Sequence, residues 1–248
     1  MKTLRAILSL ALAAFTSQAA VAQSEGTGIA SVIGAPFSAV RSQQSAKNFA
    51  DGNRIDNGSS SRLYRDGQGR TRTELDTPAQ MLAANPQMEP TQITISDPQS
   101  GETVHLLSKL KVAMVTRGPA ASAISKPVQA PHAFITFARH LYGANDPGWS
   151  KPVSLGEKSF DGVQATGTRT QYTIPVGVIN NEKPILLTVD QWYSTQLSLL
   201  IEKRARSSLG GELGFETENI VAREPDPALF SIPADYKRIE MGKQRTAQ

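Results

Sequence analysis

The 248-residue chain contains no cysteine. That excludes disulfides, thiolate metal sites, a cysteine nucleophile and a lipid anchor attached through a cysteine. Histidine is scarce, and His105, His132 and His140 form no His-Glu-x-x-His or other metal-ligating spacing. His132 and His140 stand about two helical turns apart, too far for joint ligation of one ion. No Gly-x-Ser-x-Gly elbow is present, and Ser108-x-x-Lys111 lacks the Ser-Asp-Asn and Lys-Thr-Gly partners of that chemistry. Neither an enzyme, a metal nor a cofactor is therefore expected. No charge sign dominates: 26 Lys and Arg stand against 22 Asp and Glu, and the net +4 falls to +2 without Lys2 and Arg5. A nucleic-acid binder carries a larger, concentrated excess, so no nucleic-acid partner is expected. Beyond the N-terminus no apolar run is long enough for a transmembrane segment in the mature chain.

What is present begins with an export signal. Lys2 and Arg5 supply a basic start, Ala6–Phe15 an apolar run too short to span a bilayer, and Ala20-Val21-Ala22 a small-x-small cleavage site. The expected organisation is a signal peptide over 1–22, a flexible arm over 23–36, one β domain over 37–240 and a disordered tail over 241–248. A periplasmic or secreted location follows, with cleavage near Ala22.

From Phe37 onward, short β-branched runs alternate with turn residues at Ala50–Asn53, Asp56–Ser59, Asp66–Gly69 and Asp97–Gly101. Asp-Gly and Asn-Gly supply the positive φ of tight hairpins, so the pattern predicts an antiparallel meander. A second β region starts near Val153, pivots on Asp161-Gly162, and reverses again near Ser194-Thr195-Gln196. Residues 77–90 and 116–150 interrupt the pattern, and "TPAQMLAANP" predicts a helical turn or two capped by Thr77 with Pro78 at its first position. "APHAFITFARHLYG" carries Phe134, Phe137, Ala138 and Leu141 on one helical stripe over 131–142.

"SRLYRDGQGRTRTEL" clusters four arginines around a glycine-containing turn. Strand alternation places Arg70, Arg72 and Glu74 on one face and gives Arg62 and Arg65 opposite parity. A cross-strand-paired, solvated face is one reading; an anion or lipid-headgroup contact at Arg70 and Arg72 is the other. In "PILLTVDQWYS", Leu186, Thr188, Asp190 and Trp192 share a face, and Ile185, Leu187, Val189 and Tyr193 share its opposite. A sheet apolar on both faces needs cover on both or lines a cavity. The stripe of Phe134, Phe137 and Leu141 either closes such a cavity or caps a filled core.

Certain segments carry a family likeness. Trp192 followed by the leucine-rich Leu197–Ile201, the ending Phe230-x-x-Pro233-x-x-Tyr236, and the hairpins at Arg70–Leu75 and Ile93–Leu107 resemble the periplasmic lipoprotein-sorting superfamily (LolA, LolB and RseB-like). Within it, the likeness is to uncharacterised secreted bacterial proteins. The resemblance implies a mainly β fold: a strongly curved antiparallel sheet, an unclosed β-barrel, with one or two helices covering the concave face. It also implies a binding or carrier protein holding a lipid or other apolar ligand in the hollow. Phe134, Phe137, Leu141, Leu186 and Trp192 are the expected ligand contacts. The alternative is an envelope interaction or sensing domain that takes a partner peptide at a sheet edge or at the 175–184 loop.

Overall fold

The computed structural model describes residues 29–120, 150–178 and 180–241. Its first meander runs through β1 (Phe37–Asn48), β2 (Arg54–Arg65), β3 (Thr71–Asp76), β4 (Thr91–Asp97), β5 (Glu102–Leu107) and β6 (Val112–Arg117). A second runs through β7 (Val153–Phe160), β8 (Val163–Ile174), β9 (Ile185–Ser194), β10 (Leu199–Ser207) and β11 (Gly211–Val221). Both join in one twelve-stranded sheet of order β12-β6-β5-β4-β3-β2-β1-β11-β10-β9-β8-β7, with a short β12 (Lys237–Glu240) at one edge. β1 and β11 pair over most of their length and form the seam. The outermost strands, β7 and β12, do not pair with each other, so the sheet is unclosed.

The turns form where local chemistry demands them. Asp161 and Gly162 both take positive φ, 50° and 83°, as a two-residue hairpin between β7 and β8 requires. Gly52, at φ 86°, makes the reversal between β1 and β2. Asp56–Ser59, expected as a further turn, instead lies inside β2, where Asp56 pairs with Ala46 and Ser59 with Gln43. The reversal before Arg54 already sets the register, and twelve residues of β1 carry the partner strand through. Thr77 also departs from expectation. Its hydroxyl donates to the Glu89 carbonyl at 2.6 Å, so it caps nothing. The helix α1 (Ala79–Ala84) starts after Pro78 and buries no side chain, so it covers no face. The stripe Phe134, Phe137 and Leu141 lies outside the described residues.

Directly opposed residues in an antiparallel ladder share a face, and the register shows that the apolar side changes halfway across. From β8 to β2 the first face holds the buried Tyr172, Ile174, Ile185, Val189, Ala205, Ala39 and Leu63. The second face there carries charge, including Arg169, Asp190, Arg204, Arg206 and Glu212, but at the β7–β8 end it also buries Phe160, Val163 and Ala165 beside Trp192. From β3 to β6 the sides are exchanged. Ile95, Val104, Leu106, Ala113 and Val115 are buried on the second face, and the first carries Thr73, Thr94, Ser96, Thr103 and His105.

The C-terminal segment resolves this inversion. After β11 the chain makes a 3-10 turn at Pro227–Phe230, started by the Asp226 carboxylate accepting from the Ala228 amide at 2.9 Å. Leu229, Phe230, Ile232 and Tyr236 then pack on the second-face cluster. Having crossed a face rather than turned a hairpin, the chain meets β6 in parallel. The opposite edge, β7, is bulged between Ser154 and Gly156 and carries Glu157 and Lys158, features that oppose edge-to-edge pairing.

Candidate functional site

On the first face, the apolar wall from β8 to β2 is interrupted by Arg41. Its side chain is buried because strand alternation forces it inward with Phe37 and Ala39. Nε donates to the Thr217 hydroxyl at 3.1 Å, and Nη2 to the Leu200 carbonyl at 2.9 Å. The guanidinium lies 4.1 Å from the Phe215 ring centroid. Burial lowers its pKa to about 10, so it stays a cation at neutral pH. This residue was missed in the sequence; its parity with Phe37 is the signal that could have found it.

Arg65 closes one end of that wall. Its Nε donates to the Ala35 carbonyl at 2.8 Å, Nη1 to the Ala30 carbonyl at 2.9 Å, and Nη2 to the Leu197 carbonyl. One side chain thus fastens residues 30–35 and the β9–β10 turn onto β2. Burial lowers its pKa to about 10, with a small opposing contribution from Tyr193. The Tyr193 hydroxyl is itself buried and has no hydrogen-bond partner among the described residues.

The remaining arginines of the opening cluster are paired. Arg62 Nε meets Glu74 across the β2–β3 ladder at 2.7 Å and its Nη2 meets Asp76 at 3.1 Å. Arg72 reaches the other Glu74 oxygen at 2.7 Å and donates to the Leu229 carbonyl at 2.9 Å. Burial pushes the Glu74 carboxyl up, but the hydrogen bonds from Arg62 and Arg72 outweigh it and leave it below its ordinary value. Arg70 pairs with Asp66 at 2.6 Å and stands 5.2 Å from the Phe230 ring centroid. The cross-strand pairing expected for this face is present, although it is half covered by the C-terminal segment rather than fully solvated. Arg70 also lines a cleft of ≈ 420 Å³ with Ile95, Glu102, Val104, Phe230 and Arg238. Its charged groups already have partners: Arg238 meets Glu102 at 2.7 Å, Arg70 meets Asp66, and the Asp97 carboxylate accepts from the Ser100 hydroxyl at 2.9 Å.

Leu186 and Trp192 share the second face of β9, as alternation predicts. Leu186 is exposed at the rim, and Trp192 is half-buried against Phe160, edge to face at 6.1 Å. Trp192 overlies Gly167, where a Cβ would come within 2.7 Å of the ring, so glycine is required there. Between them Asp190 takes Arg169 at 2.5 Å and Arg206 at 3.0 Å. The Ser108-x-x-Lys111 pattern forms the β5–β6 turn, with Lys111 at φ 51° and paired to Asp235, and makes no catalytic group. Among the described residues, no group of three or more His, Asp or Glu side chains is placed to hold a metal ion.

No family model and no curated protein matches the chain. Among solved structures, the LolA superfamily protein NE2245 from Nitrosomonas europaea is similar at 10% identity, covering 86% of this chain and 96% of that one, with a TM-score of 0.32. The MucA/MucB complex of Pseudomonas aeruginosa is similar at 11% identity over 82% of this chain and 58% of the matched one, TM-score 0.38. LprF from Mycobacterium bovis is similar at 11% identity over 82% and 91%, TM-score 0.32. Each of these is a distant likeness, at 10–11% identity and a TM-score under 0.5.

Proposed function

We propose that the protein is an exported binding or carrier protein that holds a lipid or other apolar molecule against the first face of β8 to β2. One observation carries this reading: the continuous wall of Tyr172, Ile174, Ile185, Leu187 and Val189, with the unpartnered Tyr193 hydroxyl on the same strand. Such a lining, mostly apolar with few fixed polar groups, suits a ligand with an apolar body and a single polar end. Phe134, Phe137 and Leu141 are its proposed cover. Leu186, Trp192 and Arg72 lie on the second face and Arg70 lines the cleft beside Phe230, so this first-face reading makes no use of them. Native mass spectrometry of protein purified from an envelope fraction is the test. The expected spectrum shows the chain with an added mass that organic extraction removes. The bare chain in every preparation would overturn the reading.

A second reading rests on β7, whose outer edge has no strand partner among the described residues and is open to a single extended peptide that follows its bulge and pairs with its charges. A peptide from an envelope protein adding a strand there would make this an interaction or sensing domain. Crosslinking from positions in β7 that returns one reproducible partner in intact cells would favour it.

A further inference from the structure

The hairpin tips at the two ends of the strands differ in chemistry. At one rim, the β1–β2 tip presents Phe49, the β10–β11 tip presents Leu209, and the β8–β9 connection presents Val176 and Val178. Leu209 and Val176 are 65% and 58% exposed, so these are not side chains resting on a core. The three tips are neighbours. The Asn48 amide donates to the Gly210 carbonyl at 2.9 Å, and the Ser208 amide donates to the Leu186 carbonyl at 2.9 Å, just after the β8–β9 connection. At the other rim, the tips are Asp66–Gly69, Asp97–Gly101, Asp161-Gly162 and Thr195–Ser198, whose one large apolar residue, Leu197, is buried. Exposed apolar residues scattered singly, such as Ile33 and Val221 beside the other rim, need no explanation, but their concentration on the tips of one rim, where the β5–β6 tip adds Leu110, does.

We propose that this rim is a membrane-docking edge that inserts Phe49, Leu209, Val176 and Val178 into the interfacial zone of a lipid bilayer. Two further features select a bilayer. First, several backbone groups of the tips are hydrogen-bonded within the tips themselves, which lowers the cost of an apolar surrounding. The Phe49 amide donates to the Asn53 carbonyl, Gly177 to the Asn181 carbonyl and Gly210 to the Ser207 carbonyl, and the Asn181 side chain donates to the carbonyls of Pro175 and Lys183. Second, the apolar groups stand on separate points rather than on one continuous face. A fluid interface admits separated points, whereas a folded partner would need a matching set of sockets. The nearby charges balance, Lys47, Arg54 and Lys183 against Asp51, Asp56 and Glu182. Attachment is therefore driven by apolar insertion and does not need an anionic surface. The inference is independent of whether the first-face wall holds a ligand.

The test is co-sedimentation of the full chain with phosphatidylcholine vesicles, alone and with phosphatidylglycerol, at 0.15 and 0.5 M salt. Wild type is expected to partition onto phosphatidylcholine with little change between the two salts. A Val176→Asp, Leu209→Asp double variant is expected to lose roughly tenfold or more in partition coefficient. Both positions are exposed, so an unchanged circular dichroism spectrum verifies the fold. A Val176→Trp variant should show a blue-shifted emission on vesicles. Absence of partitioning by wild type, equal partitioning by the double variant, or attachment only to anionic vesicles that is lost at 0.5 M salt would each overturn the proposal. So would tip-dependent capture of a single protein without vesicle binding.

Discussion

At the residue scale, the carboxylates held by arginines set how the protein responds to acid. Glu74 lies between Arg62 and Arg72, and those bonds outweigh burial to keep its pKa below the ordinary value. The Arg169 hydrogen bond does likewise for Asp190 against the opposing effect of burial, and the Arg238 bond does so for Glu102. A depressed folded-state pKa adds stability above the unfolded value, about 4 for these groups, and that stability is lost as pH falls through the folded value. Calorimetry between pH 3 and 7 should therefore show a steep fall in Tm on the acid side. A Glu74→Gln, Asp190→Asn variant should start lower at pH 7 and fall less steeply; parallel curves would contradict this assignment. Alternation alone placed Glu74 on the face of Arg70 and Arg72, so the Glu74–Arg72 pair was legible in the sequence, whereas the partners of Asp190 and Glu102 were not. Arg65 was not, because its carbonyl partners at 30, 35 and 197 are remote along the chain and no local pattern announces them.

Among elements, the C-terminal segment has the clearest energetic role. Phe230 is 7% exposed and seals the second-face cluster of Ile95, Val104, Leu106, Ala113 and Val115. Truncating a buried phenylalanine costs about 3 to 5 kcal/mol through lost burial and a residual cavity. Phe230→Ala should lower unfolding free energy in a denaturant titration by about 3 kcal/mol, while leaving events on the first face unchanged. A loss under about 1 kcal/mol would show that the segment does not carry the cover assigned to it. The hairpin turns at Ala50–Asn53, Asp66–Gly69 and Asp161-Gly162 were readable because positive φ leaves a residue signature. The continuity of β2 through Asp56–Ser59 was not. There Asn57-Gly58 has turn chemistry, but the register against β1 overrides it.

For the whole molecule, the decisive feature is the exchange of the apolar side between β2 and β3. Strand alternation reports two faces but not which one is inward, and each strand can be read either way until its neighbours fix the register. The sequence therefore shows a meander with apolar residues on both sides, and only the assembled sheet shows that the side carrying the main apolar wall changes between β2 and β3. The second-face half is sealed by the chain's own C-terminus. The first face of β8 to β2 is the wall on which the proposed ligand would rest. Titration of a fluorescent acyl probe into purified wild-type protein and a Leu187→Asp variant is the most direct test. Leu187 is half-buried on that wall, so the change introduces a charge there without opening the core. Saturable one-to-one binding by wild type, weakened roughly tenfold or more in a variant of unchanged circular dichroism, is the predicted result. Folded wild-type protein that binds no probe, or a variant that binds equally well, would contradict it.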